Sequence, residues 1–111
     1  MHSNPNLWRI RALNDSARRS VNGATALFTR GIAALTSVEQ MFILDRVRSF
    51  NDFTDGNDPW GKHDFGAFDY NGTVIFWKID CYDRDLRLGS PDAADPAVTR
   101  RVLTIMLAEE Y

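Results

Sequence analysis

Asn71-Gly72, set between two runs of strand-forming residues, constrains this chain more than any other feature. Both residues tolerate positive φ, which a two-residue type I′ turn demands. The flanking runs, Phe65 to Tyr70 and Thr73 to Tyr82, are rich in aromatic and β-branched side chains. Together they predict a β-hairpin. A two-residue turn also fixes register, because side chains alternate between faces with period two. Tyr70 then faces Thr73, Phe68 faces Ile75, Gly66 faces Trp77 and Asp64 faces Ile79. On the opposite side Asp69 meets Val74, Ala67 meets Phe76, Phe65 meets Lys78 and His63 meets Asp80.

The two faces differ in chemistry. Phe68, Ile75, Trp77 and Ile79 make an apolar side, with Gly66 leaving room for the indole of Trp77. The other side mixes Phe65 and Phe76 with Lys78, His63 and Asp80. An exposed sheet face carrying aromatics among charges suits a binding surface.

Around the hairpin, apolar spacing of three and four places Leu7, Ile10, Leu13 and Ala17 on one helix face over Pro5 to Arg19, with Asn6 as its N-cap. Asn22-Gly23 is expected to turn the chain, and Thr25 to Thr29 to form a short strand closed by Gly31. Thr36 with Glu39, or Ser37 with Gln40, provides a capping box for a helix ending near Ser49. Asn51 to Lys62 and Asp83 to Asp95 are loops. Asp95 and Pro96 have the form of a helix start, and Val98, Val102, Leu103, Ile105, Met106 and Leu107 extend that expectation as a helix to about Glu109. The order is α-β-α-β-β-α. The expected class is α+β, a three-stranded, mostly antiparallel sheet with helices packed on one face.

At 111 residues the chain has the size of one domain, spanning residues 1–111, and 44% hydrophobic content suffices for one core. Nothing approaches the roughly 18 apolar residues of a membrane span, and Met1 to Leu7 lacks the apolar centre of a signal peptide. A cytoplasmic protein is expected. Cys81, the single cysteine, excludes an internal disulfide and fits a small buried hydrophobe. Arginine outnumbers lysine 11 to 2, with Arg9, Arg11, Arg18 and Arg19 near the N-terminus, while aspartates crowd Asp52 to Asp95. Such asymmetry gives polar surfaces of different sign. The net charge of −2 and the lack of an RNP-type motif weigh against nucleic acid as a partner.

The expected His63–Asp80 contact is the sharpest chemical feature. A carboxylate orients an imidazole, for acid–base work or as a structural pair. Asp52, Asp55, Asn57 and Asp58 offer hard oxygen ligands, but counting back from Gly56 puts Phe53 third and Lys62 twelfth, so an EF-hand fails. No glycine-rich phosphate loop and no G-x-S-x-G elbow is present. No cofactor or metal is expected.

The run N-D-P-W-G-K-H-D-F-G-A-F (Asn57–Phe68), then F-W-K-I-D-C-Y-D (Phe76–Asp83), G-S-P-D (Gly89–Asp92) and the ending T-R-R-V-L-T-I-M-L-A-E-E-Y (Thr99–Tyr111) resemble a bacterial family of short proteins of unknown function. That family shows NDP-x-GEHDFG, WKIDYYD and RVLTIMLAEEY motifs. Leu13–Asp15 and Thr29–Gly31 are similar to it as well. Lys62 stands where the family has Glu, and Cys81 where it usually has Tyr, so a role for that Glu is lost here. The resemblance implies an accessory protein of mobile elements. Such proteins include anti-CRISPR and anti-restriction inhibitors that occupy a protein of a bacterial defence system. The expectation is a small binding protein of this kind, not an enzyme, with Phe65, Phe76, Lys78, His63 and Asp80 as its binding residues. The alternatives are a metal-dependent hydrolase or nuclease using His63, Asp64 and Asp80, and a regulatory protein that forms a homodimer.

Overall fold

A computed structural model describes residues 5–20 and 25–111. Helix α1 spans Pro5–Arg19, strand β1 Thr25–Phe28, a single helical turn α2 Arg30–Ala33 and helix α3 Ser37–Ser49. Strands β2 (Phe65–Tyr70), β3 (Thr73–Tyr82) and β4 (Arg100–Leu107) follow. They form one four-stranded sheet in the order β1-β4-β3-β2. The expected Asn22-Gly23 turn lies outside the described residues. Helix α1 begins at Pro5, so Asn6 sits in its first turn and is not its cap.

The hairpin has the expected turn and register. Asn71 and Gly72 take φ of 51° and 85°, and Tyr70↔Thr73, Phe68↔Ile75, Gly66↔Trp77 and Phe65↔Lys78 pair as derived. Helix α3 carries the Thr36–Glu39 capping box. The Thr36 hydroxyl accepts from Glu39 N, and the Glu39 carboxylate accepts from Thr36 N.

The expected three-stranded, mostly antiparallel sheet is wrong, and the error lies in the last element. Asp95 does accept a hydrogen bond from Ala97 N at 2.9 Å, and Pro96 opens a turn, but that turn is a 3₁₀ turn ending at Val98. The chain then becomes β4, paired antiparallel with β3 and parallel with β1. The sheet is therefore mixed. A central strand buried on both faces is apolar without alternation. Its run of Val102, Leu103, Ile105, Met106 and Leu107 therefore reads at helical spacing as a wide stripe. What distinguishes it is the β-branched content, Val102, Thr104 and Ile105, which favours a pleated surface.

All three helices stack on one side of the sheet. Ile32 of α2 and Ile43 and Val47 of α3 are fully buried in one cluster with Phe68, Ile75, Trp77, Ile79, Leu103 and Ile105. Trp77 is the largest side chain wholly removed from solvent, and Phe50 and Phe53 meet its ring edge-on at 5.5 and 6.1 Å. Gly66 makes this arrangement fit. A Cβ there would lie 2.6 and 2.8 Å from indole carbons Cε2 and Cζ2. Gly66→Ala therefore displaces Trp77 and is expected to cost about 1–3 kcal/mol, as overpacking does. A urea midpoint unchanged from wild type would refute that packing.

Polar side chains fasten α1 to this frame. Asn14 Nδ2 donates to Lys62 O at 3.0 Å, and Asn14 Oδ1 accepts from Arg101 Nε at 2.8 Å. Arg11 Nε donates to Gly61 O at 2.5 Å. Glu110 closes the other end, accepting from Thr29 Oγ1 at 2.6 Å and from the backbone N–H of Gly31 and Leu107 at 2.9 Å each.

Candidate binding face

Because the helices all lie on one side, among the described residues no helix covers the other face of the sheet. Alternation along β2 and β3 points Phe65, Phe76, Lys78 and Asp80 to that side. The pairing of β3 with β4 places Val102, Thr104 and Met106 on the same side, Val102 and Met106 being themselves buried. Phe65 and Phe76 meet in a T-shaped contact with centroids 5.1 Å apart. The ring of Tyr111 folds back over both, at 6.2 and 5.7 Å, while its own side remains largely exposed. Three aromatic rings in edge-to-face contact present apolar area at little entropic cost, since each has few rotamers. Tyr111 was not among the expected site residues. Nothing in the order of residues placed the end of the chain against this face, because that placement depends on β4 being a strand.

Lys78 and Asp80 stand beside the rings, two residues apart on one strand face, with Nζ and Oδ2 2.9 Å apart. The hydrogen bond to Asp80 raises the Lys78 ammonium above its ordinary value, with a smaller opposing effect of burial. Both side chains are more than a third exposed, so the pair contributes little to stability. Its effect here is to fix a dipole at the edge of an aromatic patch.

His63 is not part of this face, and its expected contact with Asp80 does not form. The ladder stops at Phe65↔Lys78, followed by a single Ile79 N–H to Asp64 O bond at 2.9 Å. At His63 the backbone turns to φ 55°, a left-handed conformation that breaks the strand. The ring swings towards α1, where Nδ1 donates to Asp15 Oδ1 at 2.8 Å and Nε2 lies 3.6 Å from Asp58 Oδ2. It stacks flat on Phe53, with centroids 3.7 Å apart and planes at 3°. Asp15 in turn pairs with Arg18 at 3.1 Å. These contacts join α1 to the loop before β2 and serve the fold.

The residues of the hydrolase alternative are thus divided. His63 faces Asp15 and Asp58, Asp80 faces Lys78, and among the described residues no group of three or more His, Cys, Asp or Glu is arranged to hold a metal. Within the Asn51–Lys62 loop, Asn57 Oδ1 accepts from Thr54 N and Asp58 Oδ1 from His63 N. These oxygens are occupied in shaping the loop. Cys81 is half-buried on the helix side, packed against the core, and burial pushes its thiol up.

Asp64 is half-buried too, and burial is the main cause that raises its carboxyl above the ordinary value. The sign follows from linkage: a carboxyl raised in the folded state favours folding while protonated, and that contribution is lost as pH rises through its folded pKa. Asp64→Asn is therefore expected to raise the melting temperature at pH 7. The gain should vanish at pH 3, where the aspartate is protonated in both states. Equal melting temperatures at pH 7 would contradict this.

The family model described as "Protein of unknown function (DUF3768)" matches residues 28–110. The chain belongs to this family. No curated protein and no solved structure matches it. The DUF3768 segment holds β2, β3, β4 and therefore the whole aromatic face except Tyr111. Helix α1 lies outside the matched residues, yet it supplies Asn14, Asp15 and Arg18, which bind the DUF3768 segment from the helix side. No helix in the described residues is long and apolar enough to cross a membrane.

Proposed function

We propose that this DUF3768 protein is a small binding protein that acts by occupying a protein partner through its open sheet face. One observation carries the reading. The Phe65–Phe76–Tyr111 cluster, with Lys78 and Asp80 at its edge, lies on the face that no described helix covers. A central aromatic patch with a charged rim is the usual anatomy of a protein interface. Following the resemblance of its motifs, the partner we propose is a protein of a bacterial defence system, inhibited by occupation as anti-CRISPR and anti-restriction proteins do. His63 falls outside the binding surface in this reading.

The test is to capture binding proteins from the native bacterium with wild-type and variant chains, then measure affinity for the recovered partner. Phe76→Ala is expected to weaken binding by at least about 2 kcal/mol, as loss of an aromatic anchor does. Lys78→Glu should act mainly on association rate and salt dependence. Phe76 is only partly buried, so the fold is expected to survive, which a melting curve checks. Undiminished affinity in a folded Phe76→Ala variant would move the interface elsewhere.

A further inference from the structure

A second surface, separate from the sheet face, has a chemistry of its own. Between the start of α3 and the tip of the hairpin lies a groove of about 340 Å³. Leu35, Tyr70, Ile75 and Leu107 give it apolar walls, and Glu39 and Glu109 bring two carboxylates to it. None of its lining residues is basic. A neighbouring hollow of about 320 Å³ shares Thr73, Leu107 and Glu109, so the two depressions adjoin.

The two acids differ in state. Glu39 is held in place by the capping box, with its carboxylate on Thr36 N and Oγ1 at 3.2 and 3.0 Å. Glu109, among the described residues, has no ion-pair partner. The apolar surface does not end at the groove. Val38, Met41 and Phe42 of α3 are 62, 67 and 57% exposed. Spacings of three and four put them on one helix face, and Phe42 follows Glu39 by one turn. Three large apolar side chains exposed together are unusual for a surface without a partner.

We propose that this groove and the adjoining α3 stripe dock a segment of a partner protein that carries an arginine or lysine flanked by apolar residues. The methylene stem lies along Leu35, Tyr70 and Leu107, the cationic head is placed between Glu39 and Glu109, and the apolar neighbours cover Val38 and Phe42. Charge complementarity selects this occupant, since an acidic or purely apolar segment leaves the Glu109 carboxylate without a partner and adds none to Glu39, which only the capping box engages. The surface is distinct from the aromatic sheet face and does not depend on it.

The test uses the whole protein, labelled with ¹⁵N, and three probes: a capped hexapeptide of alternating leucine and arginine, its leucine–glutamate counterpart, and agmatine as a free cation. The leucine–arginine peptide is expected to produce saturable shifts at Leu35, Glu39, Tyr70 to Thr73 and Leu107 to Glu109. Glu109→Lys should weaken it at least ten-fold, and Phe42→Ala several-fold. Both residues are exposed, and unchanged spectra elsewhere report an intact fold. Shifts that do not saturate, equal binding of the glutamate peptide, agmatine binding as tightly as the peptide, or an unaffected Glu109→Lys variant would each overturn the proposal. A failure here leaves the sheet-face reading untouched, because Phe76→Ala probes a different surface.

Discussion

Trp77→Ala is expected to destabilise the fold by about 3–5 kcal/mol, the range for truncating a large buried aromatic. Trp77 is wholly buried at the centre of the cluster, in contact with Phe50 and Phe53 and under the guanidinium of Arg18 at 5.1 Å. Gly66, directly opposite, has no side chain to fill the space it leaves. A typical domain has only about 5–15 kcal/mol of stability, so this single change removes a large part of it. Trp77→Phe should cost less, since it keeps a ring and discards an indole N–H that has no partner. Urea unfolding monitored by circular dichroism measures both. An alanine variant that melts within a degree or two of wild type would show that the sheet faces are assigned backwards.

Arg18→Ala is expected to cost a similar amount, about 3–5 kcal/mol, for an electrostatic reason. The Arg18 side chain is fully buried. It donates to Val47 O at 2.9 Å and Arg48 O at 3.1 Å, and to Asp15 Oδ1 at 3.1 Å. The first two are carbonyls in the last turn of α3, where intrahelical donors run out, and Val47 O also accepts from Phe50 N at 3.3 Å. Its guanidinium also lies over Phe53 and Trp77. Removing it takes that donor from both carbonyls and leaves Asp15 with His63 as its remaining partner, and breaking one side of a buried pair is strongly destabilising. Arg18→Lys should not restore stability, because an ammonium cannot reproduce the planar fork. Loss of less than about 1 kcal/mol in the alanine variant would mean that water replaces the guanidinium without penalty.

The parts of this fold that were legible in the sequence are those specified by local chemistry. Asn71-Gly72 can adopt few turns, so the hairpin and its register followed from it. Thr36 and Glu39 satisfy each other within one turn, so the start of α3 was readable. The last element failed because its evidence is not local. Asp95-Pro96 starts a helical turn, and the residues after it form a helix-like apolar stripe. What makes Arg100–Leu107 a strand is hydrogen bonding to β1 on one side and β3 on the other. The candidate site was legible to the same extent. Phe65, Phe76, Lys78 and Asp80 share a face because register alone puts them there. His63 departs because one left-handed backbone angle turns it to Asp15, 48 positions earlier in the chain. Arg18 looked like one of several surface arginines, since burial of a charged residue depends on partners that only the folded chain assembles.

Whether the open sheet face acts by occupation is decided by titrating the captured partner, proposed above to be a defence protein, with this protein and following the partner's activity with and without chelator. Inhibition is expected to saturate near an equimolar ratio, to be insensitive to chelator, and to be lost with Phe76→Ala. Complete inhibition at a small fraction of the partner's concentration, abolished by chelator or by His63→Ala in a still-folded protein, would contradict it and point to turnover.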